Sequence, residues 1–269
     1  MQANFFGNSR PMAVLTPPWM KATTMTATAT IYTPFGFAVA ADGNQRWENL
    51  ATRDDFIRRS ESDKVQKIFE FSSMNSTLGY FIRGHVANRD RSFAVDVELK
   101  NHLASLRSQS LDAFGLINTV SSHLDGYIKT AKNEKRIEEY PEIFIEFFGY
   151  VGGEPLWVEL QFLHYPPGHR GLLCEIVPRN LRPGACLVSG SLLIRDLIFQ
   201  KHPLFFPFCA PFDYTESLDQ ATGFVKGYIE ACCSPDAPRF DPDCESLGGH
   251  IHVATVSPQG GFRWVVAPI

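Results

Sequence analysis

The chain predicts an α+β fold in which antiparallel sheets are covered by layers of helix. Two observations carry this reading. Segments of period-two alternation come in hairpin-like pairs, and blocks of three- and four-residue apolar spacing stand between the pairs. A parallel βαβ design would instead interleave strand and helix one for one.

The first pair lies at 26–41. Thr26, Thr28 and Thr30 alternate with Ala27, Ala29 and Ile31, so one face of the strand carries hydroxyls and the other small apolar groups. Thr33-Pro34-Phe35-Gly36 turns the chain, because proline presets φ and glycine tolerates a positive one. Phe37–Ala41 is a continuous apolar run, as expected of a return strand buried on both faces. A three-residue turn places Thr26 opposite Asp42, and a two-residue turn shifts the pairing by one.

Residues 43–66 are polar and read as a long loop. KIFEF at 67–71 and LGYFI at 78–82 form the next hairpin. Leu103 and Leu106, then Leu111, Phe114, Ile117, Val120, Leu124 and Ile128, follow helical spacing, with the gap after Leu106 marking a joint between two helices. IFIEFF at 143–148 and LWVEL at 156–160 give another hairpin. CLVSGS at 186–191 leads into a helical pattern ending near 200, followed by the proline-interrupted loop HPLFFPFCAPF at 202–212. Ser217-Leu218-Asp219-Gln220 is a capping box for a helix to about Ala231. Gly248-Gly249 then introduces a closing hairpin, Ile251–Val256 and Phe262–Val266. Residues 1–25 read as a leader and 26–269 as a single domain.

Bulk composition excludes several function classes. The formal net charge is −4, with Lys and Arg scattered, so there is no footprint for nucleic acid. No run approaches the roughly 20 apolar residues that span a bilayer. The six cysteines contain no C-x-x-C, which favours reduced thiols and a cytoplasmic setting. No cofactor is expected. His250 and His252 have a spacing that can bind metal, but no third ligand accompanies them, and no metal is expected either. The 22 phenylalanines point to layers packed through aromatic rings.

Four landmarks occur in order: GFAVAAD at 36–42, KIFEF at 67–71, VSGS at 188–191 and DCESLGGHIHVATV at 243–256. Together they resemble the proteasome β-subunit type of N-terminal nucleophile (Ntn) hydrolase. That resemblance implies a four-layer αββα sandwich, removal of the leader by autoprocessing, and Thr26 as N-terminal nucleophile. It implies Asp42 and Lys67 as the supporting pair, the backbone N–H near Gly84 as oxyanion donor, and Ser189, Asp243 and Ser246 around the terminal amine. Met25 stands where the family usually has glycine, and Asn44 where it has arginine.

The chemistry fits these residue types. A threonine hydroxyl needs a base within reach, and a terminal amine, of reference pKa about 7.7–8.0, can be that base. A lysine beside the hydroxyl favours the alkoxide, and an aspartate holds the ammonium. The expected activity is hydrolysis of a peptide or acyl-amide bond in a homo-oligomer, a ring being one form. A non-catalytic subunit of the same architecture and a free-standing amidase are the alternatives.

Overall fold

The computed structural model describes residues 26–44, 65–88, 91–164, 171–209 and 215–269. The leader expected at 1–25 and most of the 43–66 loop lie outside the described residues, as does the end of the 202–212 loop.

Among the described residues, ten strands form two five-stranded antiparallel sheets. The first orders as β10-β9-β2-β1-β8, built from β1 (Thr28–Thr33), β2 (Gly36–Ala41), β8 (Cys186–Ser189), β9 (His252–Ser257) and β10 (Gly261–Val266). The second orders as β3-β4-β5-β6-β7, from β3 (Ile68–Ser72), β4 (Ser76–Gly84), β5 (Ile143–Val151), β6 (Glu154–His164) and β7 (Leu172–Pro178). Helices α1 (Val95–Leu106) and α2 (Ala113–Asn133) cover the second sheet, and α3 (Leu192–Phe199) and α4 (Leu218–Cys232) cover the first. The architecture is an αββα sandwich.

The turn between β1 and β2 has two residues, with Thr33 paired to Gly36 and Thr28 to Ala41. The three-residue alternative is therefore set aside, and Asp42 comes level with Ala27 rather than Thr26. β2 is buried along its whole length, as its apolar run predicts, because β1 and β9 flank it and layers cover both faces. Its Ala38 and Ala40, with Ala29 and Ile31 of β1, lie in the core formed with α3 and α4. Phe37, Val39 and Ala41 face the second sheet, where they meet Phe81, Phe148, Tyr150 and Trp157. Phe37 sits at the centre of this aromatic layer, 5.8 Å from the Tyr150 ring and 6.1 Å from the Trp157 ring.

Thr28 and Thr30 occupy the other face of β1 and are buried. Hydroxyls there are tolerated because polar partners reach the inter-sheet layer: Ser189 bonds Thr28, and the Glu146 carboxyl lies beside Thr30. α1 starts after Ala94 without a side-chain cap, whereas the starts of α2, α3 and α4 are capped. Ser217 Oγ accepts from Gln220 N at 3.1 Å, Asp112 accepts from Gly115 N at 2.7 Å, and Ser191 accepts from Ile194 N at 3.0 Å. The joint after Leu106 is real, but α1 begins earlier than its leucines suggest, at Val95.

Candidate active site

Asp42 follows the last residue of β2 and is fully buried. Its Oδ1 accepts from Lys67 Nζ at 2.7 Å and from the Ala27 amide at 3.0 Å. Its Oδ2 accepts from the amides of Asn44 at 3.3 Å and Gly248 at 3.4 Å. Burial pushes this carboxyl above its ordinary value, while the Lys67 ammonium and the backbone donors oppose the shift.

Lys67 comes from the other sheet, one residue before β3, with 7% of its surface exposed. Besides Asp42 it donates to Thr26 Oγ1 at 3.3 Å. One ammonium therefore touches both the hydroxyl and the carboxylate, which is the arrangement that lowers the cost of ionising a threonine.

Thr26 itself is held from a third direction. Ser189 Oγ donates to the Thr26 carbonyl at 3.1 Å and lies 2.7 Å from Thr28 Oγ1. A hydroxyl has one proton, so with Ser189 donating to the carbonyl, Thr28 donates to Ser189. Gly190 keeps β8 close at this point. Its φ is +106°, and a Cβ there would stand 3.0 Å from the Ala27 side chain.

The remaining expected residues sit farther out. Ser246 is buried in a 3₁₀ turn, Pro242–Ser246, where its hydroxyl donates to the Asp243 carbonyl at 2.8 Å and its own carbonyl accepts from Asn44 Nδ2 at 3.4 Å. It borders the site through Asn44. The Asp243 side chain is exposed on that turn. Gly84 ends β4, paired with Ile143 and closed in by the Glu142 carbonyl. Among the described residues no hydrogen bond joins Gly84 or Asp243 to Thr26, Asp42 or Lys67. His250 and His252 bond to the carbonyls of Ala267 and Val65, and no group of three His, Cys, Asp or Glu among the described residues is arranged to hold a metal.

Two contributors escaped the sequence. The amides of Asn44 and Gly248 hold Asp42, and a backbone donor has no residue-type signature beyond the glycine that lets the chain approach. Cys233, at the end of α4, is a third neighbour: burial pushes its thiol well above the ordinary range, and the charges of Asp42 and Lys67 both act on it. Cys174, Cys186, Cys232, Cys233 and Cys244 are all free. No described helix is long and apolar enough to cross a membrane.

No protein-family model matches the chain, and neither does any curated protein. Solved structures do. Anbu (ancestral β-subunit) from Yersinia bercovieri aligns with a TM-score of 0.53 at 13% identity, covering 89% of this chain and 86% of that one. An Anbu mutant from Hyphomicrobium sp. strain MC1 gives 0.53 at 12% identity over 90% and 87%. The Anbu complex from Pseudomonas aeruginosa, described as a helical assembly, gives 0.54 at 12% over 90% and 88%. The two sheets and their covering helices are thus arranged as in these Anbu structures.

These findings correct the family resemblance drawn from the motifs. The likeness is to Anbu proteins, at identities that speak for the fold alone, and nothing supports membership of the proteasome β-subunit family of Ntn hydrolases. The physical reason lies in what the motifs encode. Gly36 takes a positive φ at a tight turn, Ala38 and Ala40 fit beneath a helix, and Gly190 makes room for Ala27. Such residues report an architecture, and any chain adopting it meets the same demands.

Proposed function

We propose that the chain is a threonine hydrolase that cleaves peptide or acyl-amide bonds, with Thr26 as the nucleophile once residues 1–25 are removed and residues 26–269 acting as one unit. The observation that carries this reading is the single Lys67 ammonium bonded to both Thr26 Oγ1 and Asp42 Oδ1. Freed of the preceding residue, the Thr26 amine takes the hydroxyl proton. The oxygen attacks the carbonyl, Lys67 stabilises its developing charge, and the amine passes the proton to the leaving nitrogen. Water then releases the acyl group from the ester. Ser189 fixes the Thr26 carbonyl, and so the direction of the nucleophile. On the motif resemblance, Asp243 and Ser246 would assist at the amine and the Gly84 amide would receive the oxyanion.

The mass of the purified protein tests this. A species beginning at Thr26, absent from Thr26→Ala, is expected, together with an acyl adduct on Thr26 after treatment with an electrophilic peptide. Full-length protein alone, unreactive at Thr26, overturns it.

A non-catalytic structural or binding subunit is the second reading, favoured by the position of Gly84, whose neighbours are Glu142 and Ile143. Under either reading we propose self-assembly. One structural neighbour is described as a helical assembly, and α3 here exposes Leu192, Leu193 and Phe199. Sedimentation of the full chain distinguishes an oligomer from a monomer.

A further inference from the structure

Val65 lies against the first sheet two positions before Lys67, and both of its backbone groups are tied. Its amide donates to the Gly43 carbonyl at 3.0 Å, and its carbonyl lies 2.8 Å from His252 Nε2. Gly43 directly follows Asp42, and His252 stands on β9 opposite Ala41. A carbonyl only accepts, so Nε2 carries the proton. His252 is fully buried, and its Nδ1 has no hydrogen-bond partner among the described residues. The ring is therefore the neutral Nε2–H tautomer. A second proton, on Nδ1, would be buried without an acceptor among the described residues.

We propose that His252 is a positioning residue for Lys67: its neutral ring clamps Val65 against the first sheet, so that the ammonium two residues on reaches Thr26 and Asp42 together, and protonation of the ring opens the clamp. The inference rests on the reading of Thr26 above only for what the clamp serves.

The groups facing the ring oppose that protonation on balance. They are His250, whose ring centroid is 5.2 Å away, Lys67 and Asp42. Lys67 and His250 disfavour a further positive charge. The Val65 carbonyl favours one through its bond to Nε2, and so does Asp42, whose oxygens are already engaged by Lys67 and three amides. Burial works in the same direction as Lys67, holding the imidazole below its ordinary value.

Hydrogen–deuterium exchange of the peptide spanning 65–68, measured on the full chain between pH 8 and 4.5 and corrected for intrinsic rates, tests the clamp. Wild-type protection is expected to fall about tenfold toward the acid end, the loss that follows from one hydrogen bond. His252→Gln, whose amide donates but does not titrate, is expected to keep its protection throughout. His252→Leu is expected to show that lowered protection at every pH. A flat wild-type profile overturns the proposal without needing any variant, and so does a His252→Leu chain as protected as wild type. Because exchange involves no substrate, a Thr26 that forms no acyl adduct sinks the hydrolase reading and leaves this result standing.

Discussion

Ala27 and Asp42 are joined twice. The Ala27 amide donates to the Asp42 carboxylate at 3.0 Å, and the Asp42 amide donates to the Ala27 carbonyl at 3.1 Å. The β1–β2 ladder is thereby extended by one position, in which a side chain replaces half of the backbone pairing. The acid is locked beside Thr26 by the same hydrogen bonds that end the hairpin.

Asp42→Asn should be among the most destabilising isosteric changes. The amide nitrogen would face either Lys67 or the Asn44 and Gly248 amides, donor against donor, and Lys67 would lose its counter-charge in a buried setting. A loss of about 3–5 kcal/mol is expected, read from urea unfolding.

Replacing both charges should cost less than replacing one. The Asp42→Leu, Lys67→Met double variant removes the need to pair a buried ion, so its stability is expected to exceed that of Lys67→Met by about 2 kcal/mol or more. It should form no acyl adduct at Thr26. Parallel denaturation and adduct mass spectra check both halves of this statement.

Gly190→Ala is expected to cost about 1–3 kcal/mol, because a φ of +106° strains any other residue and the new Cβ would press on Ala27. The displaced neighbour is Ser189, so the rate of adduct formation at Thr26 should fall as well. Thermal unfolding and a timed labelling series measure the two effects.

Glu146 gives a pH test. It is fully buried, accepts from Trp157 Nε1 at 2.8 Å, and has a folded pKa raised chiefly by burial, with Arg83 opposing. The folded chain holds this proton more tightly than the unfolded one. Wild type therefore loses stability as pH rises from the unfolded value near 4.5 through the folded one, whereas Glu146→Gln does not. The variant should gain on wild type by up to about 1.4 kcal/mol per pH unit across that window, then level off. Urea midpoints at successive pH values follow the difference.

How much of this could be read in the sequence depends on the kind of residue involved. The β1–β2 hairpin was legible because threonines alternate with small apolar residues and a Pro-Phe-Gly turn follows; only its loop length, and hence the register, stayed open. The long α2 announced itself through the spacing of Ile117, Val120, Leu124 and Ile128, all of them buried, whereas Phe114, read as part of the same stripe, is exposed and Leu116 takes the inward place. β7 did not, since an edge strand with most of its residues half-exposed or exposed needs no clear alternation. Thr26, Asp42 and Lys67 were singled out by the motif resemblance, through GFAVAAD and KIFEF, and the structure brings their side chains together. The Val65 clamp was hidden, because nothing in the order of residues announces that a histidine near the C-terminus will meet a backbone carbonyl 187 positions earlier.

Thr26 and Asp42 belong to one sheet and Lys67 to the other, with an aromatic layer between them that holds Phe37 against Phe148 and Trp157. The meeting of these three side chains is therefore a gauge of how the two slabs are seated. A slip of one slab past its mate by a fraction of a bond length would part the lysine from the hydroxyl while leaving every strand ladder whole. Under the hydrolase reading, such a molecule keeps its shape on mild heating yet stops labelling at Thr26 before it melts.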